Sequence, residues 1–68
     1  MKYKIYLKLD RLITTLTMMH IKYNVMYVDN DYVIVDLSNN SFRALKKLFA
    51  LFLNMQVQVE NLQWEGSI

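Results

Sequence analysis

The chain opens on an alternation. Tyr3, Ile5, Leu7 and Leu9 fall on one side and Lys2, Lys4, Tyr6 and Lys8 on the other, the period of a half-buried strand. At Asp10, a residue suited to capping a helix N-terminus, the period changes. Leu12, Ile13, Leu16, Met19 and Tyr23 then recur at helical spacing while Arg11, Thr14, Thr15 and Thr17 face away, which predicts a helix over 11–22. Its threonines lose rotamer freedom in a helix, so packing rather than propensity must hold it in place.

Period two returns over 24–36, interrupted at Asp29, Asn30 and Asp31. Asn and Asp tolerate left-handed backbone, so these residues predict a hairpin turn. With Asn30 and Asp31 in the turn, Val28 faces Val33, Met26 faces Val35 and Asn24 faces Leu37 on one side. On the other side Asp29 faces Tyr32, Tyr27 faces Ile34, and Val25 faces Asp36. This register makes one face almost wholly apolar, as burial requires; a turn at Asn30 and Asp29 would set Val28 against Asp31 there. Ser38, Asn39, Asn40 and Ser41 are capping residues. A second helix over 40–53 follows, with Phe42, Leu45, Leu48, Phe49 and Phe52 as its core stripe and Arg43, Lys46 and Lys47 outward. Finally Met55, Val57 and Val59 alternate with Asn54, Gln56, Gln58 and Glu60, a last strand. Leu62 and Trp64 break its parity, through a bulge near Asn61 or by emerging on the outer face.

The element order is strand, helix, strand, strand, helix, strand. Right-handed crossovers turn that order into two interlocked split βαβ units: an α+β sandwich with one four-stranded antiparallel sheet, order 4-1-3-2, and both helices on one face. The layout resembles the ferredoxin-like superfold over the whole chain, 1–68, on element order alone. That superfold carries many unrelated functions, so the resemblance implies architecture and nothing of chemistry. No repeat, linker or low-complexity tract points to a second unit.

Length limits what such a fold can draw on. At 68 residues a core contributes only about 3–5 kcal/mol net, and the absence of cysteine excludes disulfides and thiolate zinc sites. The 54% hydrophobic content points to a dense core, self-association or both. The longest apolar run, 48–53, is far short of the ~20 residues that span a bilayer, and no secretory signal follows Met1. A soluble, cytoplasmic protein is therefore expected, peripheral to a membrane at most. The lean toward Asn, Lys, Ile and Tyr fits an AT-rich coding genome, of phage or plasmid type for instance. A net charge of +2 permits nucleic-acid binding without demanding it.

The chemistry-bearing residues point away from catalysis. His20, the only histidine, stands near the end of the first helix with no nucleophile placed beside it by any motif, and reads as a helix-end residue favoured by the dipole. Ser38 and Ser41 are explained as caps. Gly66, the lone glycine, cannot build a phosphate loop. Asp29, Asn30 and Asp31 lack the glycine and distal glutamate of a calcium loop. Glu60 and Glu65 do not form a pair suited to hydrolysis. No enzyme activity, cofactor, metal or small-molecule substrate is expected.

The sheet face away from the helices is the informative surface. Alternation projects onto it Lys2, Lys4, Tyr6 and Lys8 from the first strand, and Val25 and Tyr27 from the second. Tyr32, Ile34 and Asp36 come from the third strand, and Gln56, Gln58 and Glu60 from the fourth. A solvated antiparallel face should be polar, yet Val25, Tyr27, Tyr32 and Ile34 cluster there. The favoured reading is a small non-enzymatic interaction protein, of adaptor or inhibitor type. It would meet a protein partner or a second copy of itself through Lys4, Tyr6, Lys8, Val25, Tyr27, Tyr32 and Ile34. The alternative is a single-stranded nucleic-acid module in which Tyr6, Tyr27 and Tyr32 stack bases and Lys4 and Lys8 meet phosphates, although no RNA-recognition signature is present. A plain solvated sheet would also use these strand-forming residues. Ala44, Leu51 and Leu53 widen the apolar stripe of the second helix; core packing explains them better than a membrane-surface helix does.

Overall fold

The computed structural model describes residues 1–62 and contains β1 (Lys2–Ile5), α1 (Leu9–Met18), β2 (Asn24–Val28), β3 (Val33–Asp36), α2 (Phe42–Asn54) and β4 (Val59–Asn61). All strand pairs are antiparallel and lie in the order β2-β3-β1-β4, the ferredoxin-like arrangement expected, with β1 and β3 at the centre. Tyr3, Ile5, Val33 and Val35 form the covered face. Leu12 and Leu16 from α1, and Leu45, Leu48 and Phe52 from α2, close over it. Each such side chain contributes about 1.5–3 kcal/mol when fully buried. No polar or charged residue is buried among the described residues.

Helix entry and exit differ from the periodicity reading for local reasons. The strand period stops at Ile5, because Leu7 N–H turns back to the Ile5 carbonyl at 2.9 Å. Lys8 is then the N-cap, without a side-chain cap, so Lys8 and Leu9 belong to the start of α1. Asp10 is a first-turn residue and not the cap; its Oδ1 accepts from Arg11 N–H at 2.8 Å, at the end where the helix dipole favours an anion. Thr14 and Thr15 donate their hydroxyls to the carbonyls of Asp10 and Arg11, both at 2.9 Å, a tie that competes weakly with regular helix.

α1 stops at Met18, and Tyr23 lies beyond it, exposed. His20 has φ 57°, its N–H meets Thr17 O at 3.1 Å, and Ile21 N–H meets Leu16 O at 2.9 Å. This is a Schellman ending with histidine at the left-handed position and the apolar pair Ile21 and Leu16 beneath it. α2 repeats the device. Gln56 has φ 61°, its N–H reaches Leu53 O at 3.1 Å, and Val57 N–H reaches Phe52 O at 2.8 Å. Met55 and Gln56 are therefore helix ending, and the last strand shrinks to Val59–Asn61.

The hairpin keeps the expected inner end and loses the outer one. Val28 pairs with Val33 and Tyr27 with Ile34, while Asp29 N–H meets Tyr32 O at 2.9 Å. A bulge at Met26 then brings Val25 opposite Val35 and Asn24 opposite Asp36. Strict alternation would have put polar Asn24 opposite Leu37 on the covered face; the extra residue moves it to the outer face and gives a β-branched side chain its place. The bulge also interrupts pairing along an edge strand. Asn30 and Asp31 occupy the two-residue loop, but neither has a positive φ, so the turn is not of the primed type.

At the far edge, Leu62 N–H donates to Lys2 O at 2.9 Å, continuing the register that pairs Glu60 with Lys4. Leu62 therefore emerges on the open face, without a bulge at Asn61. Trp64, Glu65 and Gly66 lie outside the described residues.

Candidate interaction face

The central strands carry the site because their outward positions are neighbours twice over. Lys4 lies between Ile34 of β3 and Glu60 of β4, and Ile34 lies between Lys4 and Tyr27 of β2. Tyr6 follows β1 and is anchored beside β4 by its N–H on Gln58 O at 3.0 Å. Tyr32 enters β3 next to it.

These residues form a connected cluster. The Tyr6 and Tyr32 ring centroids are 5.7 Å apart, and those of Tyr27 and Tyr32 6.1 Å. The three rings thus run in a row across β1, β3 and β2, in tilted geometries favourable to aromatic pairs. Lys4 Nζ stands 4.2 Å from the Tyr32 centroid and 5.5 Å from that of Tyr6, both within cation–π range. Tyr6 donates its hydroxyl to Glu60 Oε2 at 3.2 Å, and Gln58 donates to the same oxygen at 3.2 Å. Side-chain hydrogen bonding with Tyr6 raises the Lys4 pKa above its ordinary value; partial desolvation opposes this and the Glu60 carboxylate adds to it.

A second charged group sits at the rim of the face. Asp36 accepts from the Ser38 backbone N–H at 2.9 Å and from the Ser38 hydroxyl, and the Met1 amine lies 3.7 Å from its Oδ1. The Ser38 hydrogen bonds hold its carboxyl below the usual range.

Of the residues expected to form the contact surface, Lys4, Tyr6, Tyr27, Tyr32 and Ile34 come together on the open face. Val25 does not; the bulge turns it to the helix side, where it packs against the core. Lys8 lies beyond β1, at the N-cap position of α1, and has no strand pairing that places it on the face. Gln56, expected beside Gln58, is held at the end of α2. The face thus loses one apolar and one basic group and gains Leu62.

Sequence periodicity missed one feature. Phe42, placed in the core stripe of α2, is 80% exposed, and Leu53 is 79% exposed. Phe42, Phe49 and Leu53 stand at seven- and four-residue spacing, so they share one side of α2, next to the row that fills the core. The excess of apolar residues around this helix was the available signal. Among the described residues, no group of three or more His, Cys, Asp or Glu side chains could hold a metal ion, and no helix is long and apolar enough to cross a membrane. Comparison with protein-family models, curated proteins and solved structures finds no match to this chain.

Proposed function

We propose that this is a small non-enzymatic binding protein of adaptor or inhibitor type that meets a second copy of itself through the open sheet face. The carrying observation is the row Tyr6–Tyr32–Tyr27 with the Lys4 ammonium 4.2 Å over its central ring. Tyrosine rings are effective interface anchors because they bring large area at small entropic cost, and here mutual contact already restricts them. Half-buried Ile34 sits against this row as an apolar centre.

Charge complementarity favours a second copy as the occupant. Lys2 and Lys4 lie on one strand, and Asp36 and Glu60 lie opposite them on the strands to either side. Charges of both signs thus lie side by side on the face, so a two-fold contact can set lysines against carboxylates in both directions. The nucleic-acid alternative is less well supported. Lys8 has no strand pairing on the face, Glu60 places a carboxylate within it, and Lys4 occupies the ring surface of Tyr32 where a base would stack.

Sedimentation equilibrium over a concentration series tests this. The wild-type chain is expected to dimerise, and Ile34→Lys, which adds a cation beside Lys4, to remain monomeric. Tyr27→Ala removes an anchor that is 53% exposed in the monomer and should weaken the dimer by about 2 kcal/mol, roughly thirtyfold. A wild-type chain that stays monomeric at the highest concentration overturns the self-contact.

A further inference from the structure

α2 presents a second surface, distinct from the open sheet face. Between α2 and the start of β1 runs a groove of about 560 Å³ whose apolar walls include Tyr3, Phe42, Leu45 and Phe49. The Tyr3 and Phe49 rings meet at 4.9 Å along it, and Lys46 stands on its rim. Beyond the rim, Arg43 and Lys47 flank the other side of Phe42. A phenylalanine at 80% exposure, set between an apolar groove and three cations, has no part in the core.

The cations have no evident structural duty. α2 contains no acidic residue, and none of Arg43, Lys46 and Lys47 makes an ion pair among the described residues. Arg43 lies in the first turn, where the backbone dipole disfavours positive charge, and Lys46 and Lys47 lie in the second. Helix stability therefore does not account for Arg43 at this end. A bound anion would be attracted by the side chains and the helix end together.

We propose that this groove binds an acidic, amphipathic segment of a protein partner. The segment inserts one bulky apolar side chain beside Phe42 and Phe49 and sets carboxylates against Arg43, Lys46 and Lys47. A peptide fits this shape better than a lipid surface does: a membrane-surface helix presents a continuous apolar side, whereas here a groove lies along Tyr3 and Phe49 with Phe42 and Lys46 at its edge.

The test is fluorescence anisotropy of a labelled peptide of about a dozen residues, acidic throughout except for Phe and Leu four positions apart, titrated with the full chain. Saturable binding is expected. Phe42→Ala should weaken it about tenfold or more, as should the pair Lys46→Glu with Lys47→Glu, while Tyr27→Ala on the sheet face leaves it unchanged. Phe42, Lys46 and Lys47 are exposed, so their variants should keep the wild-type urea midpoint. If Phe42→Ala does lower that midpoint, the double charge reversal decides alone. The proposal is overturned if the lysine-substituted counterpart of the peptide binds as well, or if removing Phe from the peptide changes nothing. It is also overturned if phosphatidylserine vesicles or a single-stranded oligonucleotide, and not the acidic peptide, bind in a way that depends on Phe42 and Lys46.

Discussion

Replacing Gln56 with glycine should stabilise this protein. Gln56 holds φ 61° at the end of α2, where its N–H closes on Leu53 and the next residue closes on Phe52. A side chain at Cβ crowds the following carbonyl in that conformation, at roughly 1–2 kcal/mol for an ordinary residue. Glycine removes the clash but adds freedom to the unfolded chain, which offsets about 0.5–1 kcal/mol. The net gain is about 0.5–1 kcal/mol. Domains of this size shift by about 4–8 °C per kcal/mol, so the thermal midpoint should rise by about 2–8 °C. Gln56 is exposed and its side chain makes no hydrogen bond among the described residues, so its truncation removes no polar tie. His20, with φ 57° at the end of α1, is the same experiment on the other helix, and the two gains should add because the sites terminate different elements. Gln56→Val, β-branched where left-handed backbone tolerates it least, should lose about 1 kcal/mol or more. The assay is urea and thermal unfolding at one fixed protein concentration, so that any self-association stays constant. A Gln56→Gly midpoint at or below wild type refutes the reasoning.

Asn40 joins the two loops that flank the helices: its Oδ1 accepts from Lys22 N–H at 2.8 Å, and its Nδ2 donates to Lys22 O at 2.6 Å and Leu37 O at 3.0 Å. Asn40→Ala should cost about 1–3 kcal/mol in urea unfolding and speed hydrogen exchange at the Lys22 amide. The depressed Asp36 carboxyl contributes stability that is present above the ordinary carboxylate value, about 3.9, and is lost as pH falls through its lower folded value. Wild type should therefore exceed Asp36→Asn at neutral pH, and the two unfolding curves should converge in acid; a constant gap down to the lowest pH contradicts this. Leu16→Ala, at a fully buried position against the sheet, should lose about 2–5 kcal/mol and leave little folded protein in so small a domain.

The order and type of the elements were legible because the apolar period changes from two to 3.6 and back at each junction. Their ends were not legible, and the reason recurs. The turn at Ile5 and Leu7 and the two Schellman endings are closed by backbone hydrogen bonds, which leave little trace in side-chain polarity. Glycine would have marked the endings, but His20 and Gln56 stand at the left-handed positions instead. The Met26 bulge is hidden in the same way. Val25 and Met26 are both apolar, so either one satisfies the pattern, and only the fate of Asn24 favours the shifted register.

The candidate face divides along the same line. Lys4, Tyr6, Tyr27, Tyr32 and Ile34 were legible because their positions depend on pairings close to the central strands, where the register is regular. Val25 and Lys8 were misplaced because each lies past an irregularity, one beyond the bulge and one beyond the end of β1. Their removal changes the chemistry of the face. With Glu60 holding the Tyr6 hydroxyl and Asp36 at the rim, it carries carboxylates among its lysines where a phosphate-binding surface needs a cationic excess. Without Val25, its apolar part contracts onto Ile34 and the tyrosine row. The positive charge left unbalanced lies on α2 around Phe42, where a periodicity reading counted an exposed phenylalanine as core. A helical stripe fixes which residues are neighbours on the cylinder. How far that stripe extends under the sheet depends on how the helix is rotated against it, and this rotation is what separates Phe42 from Leu45.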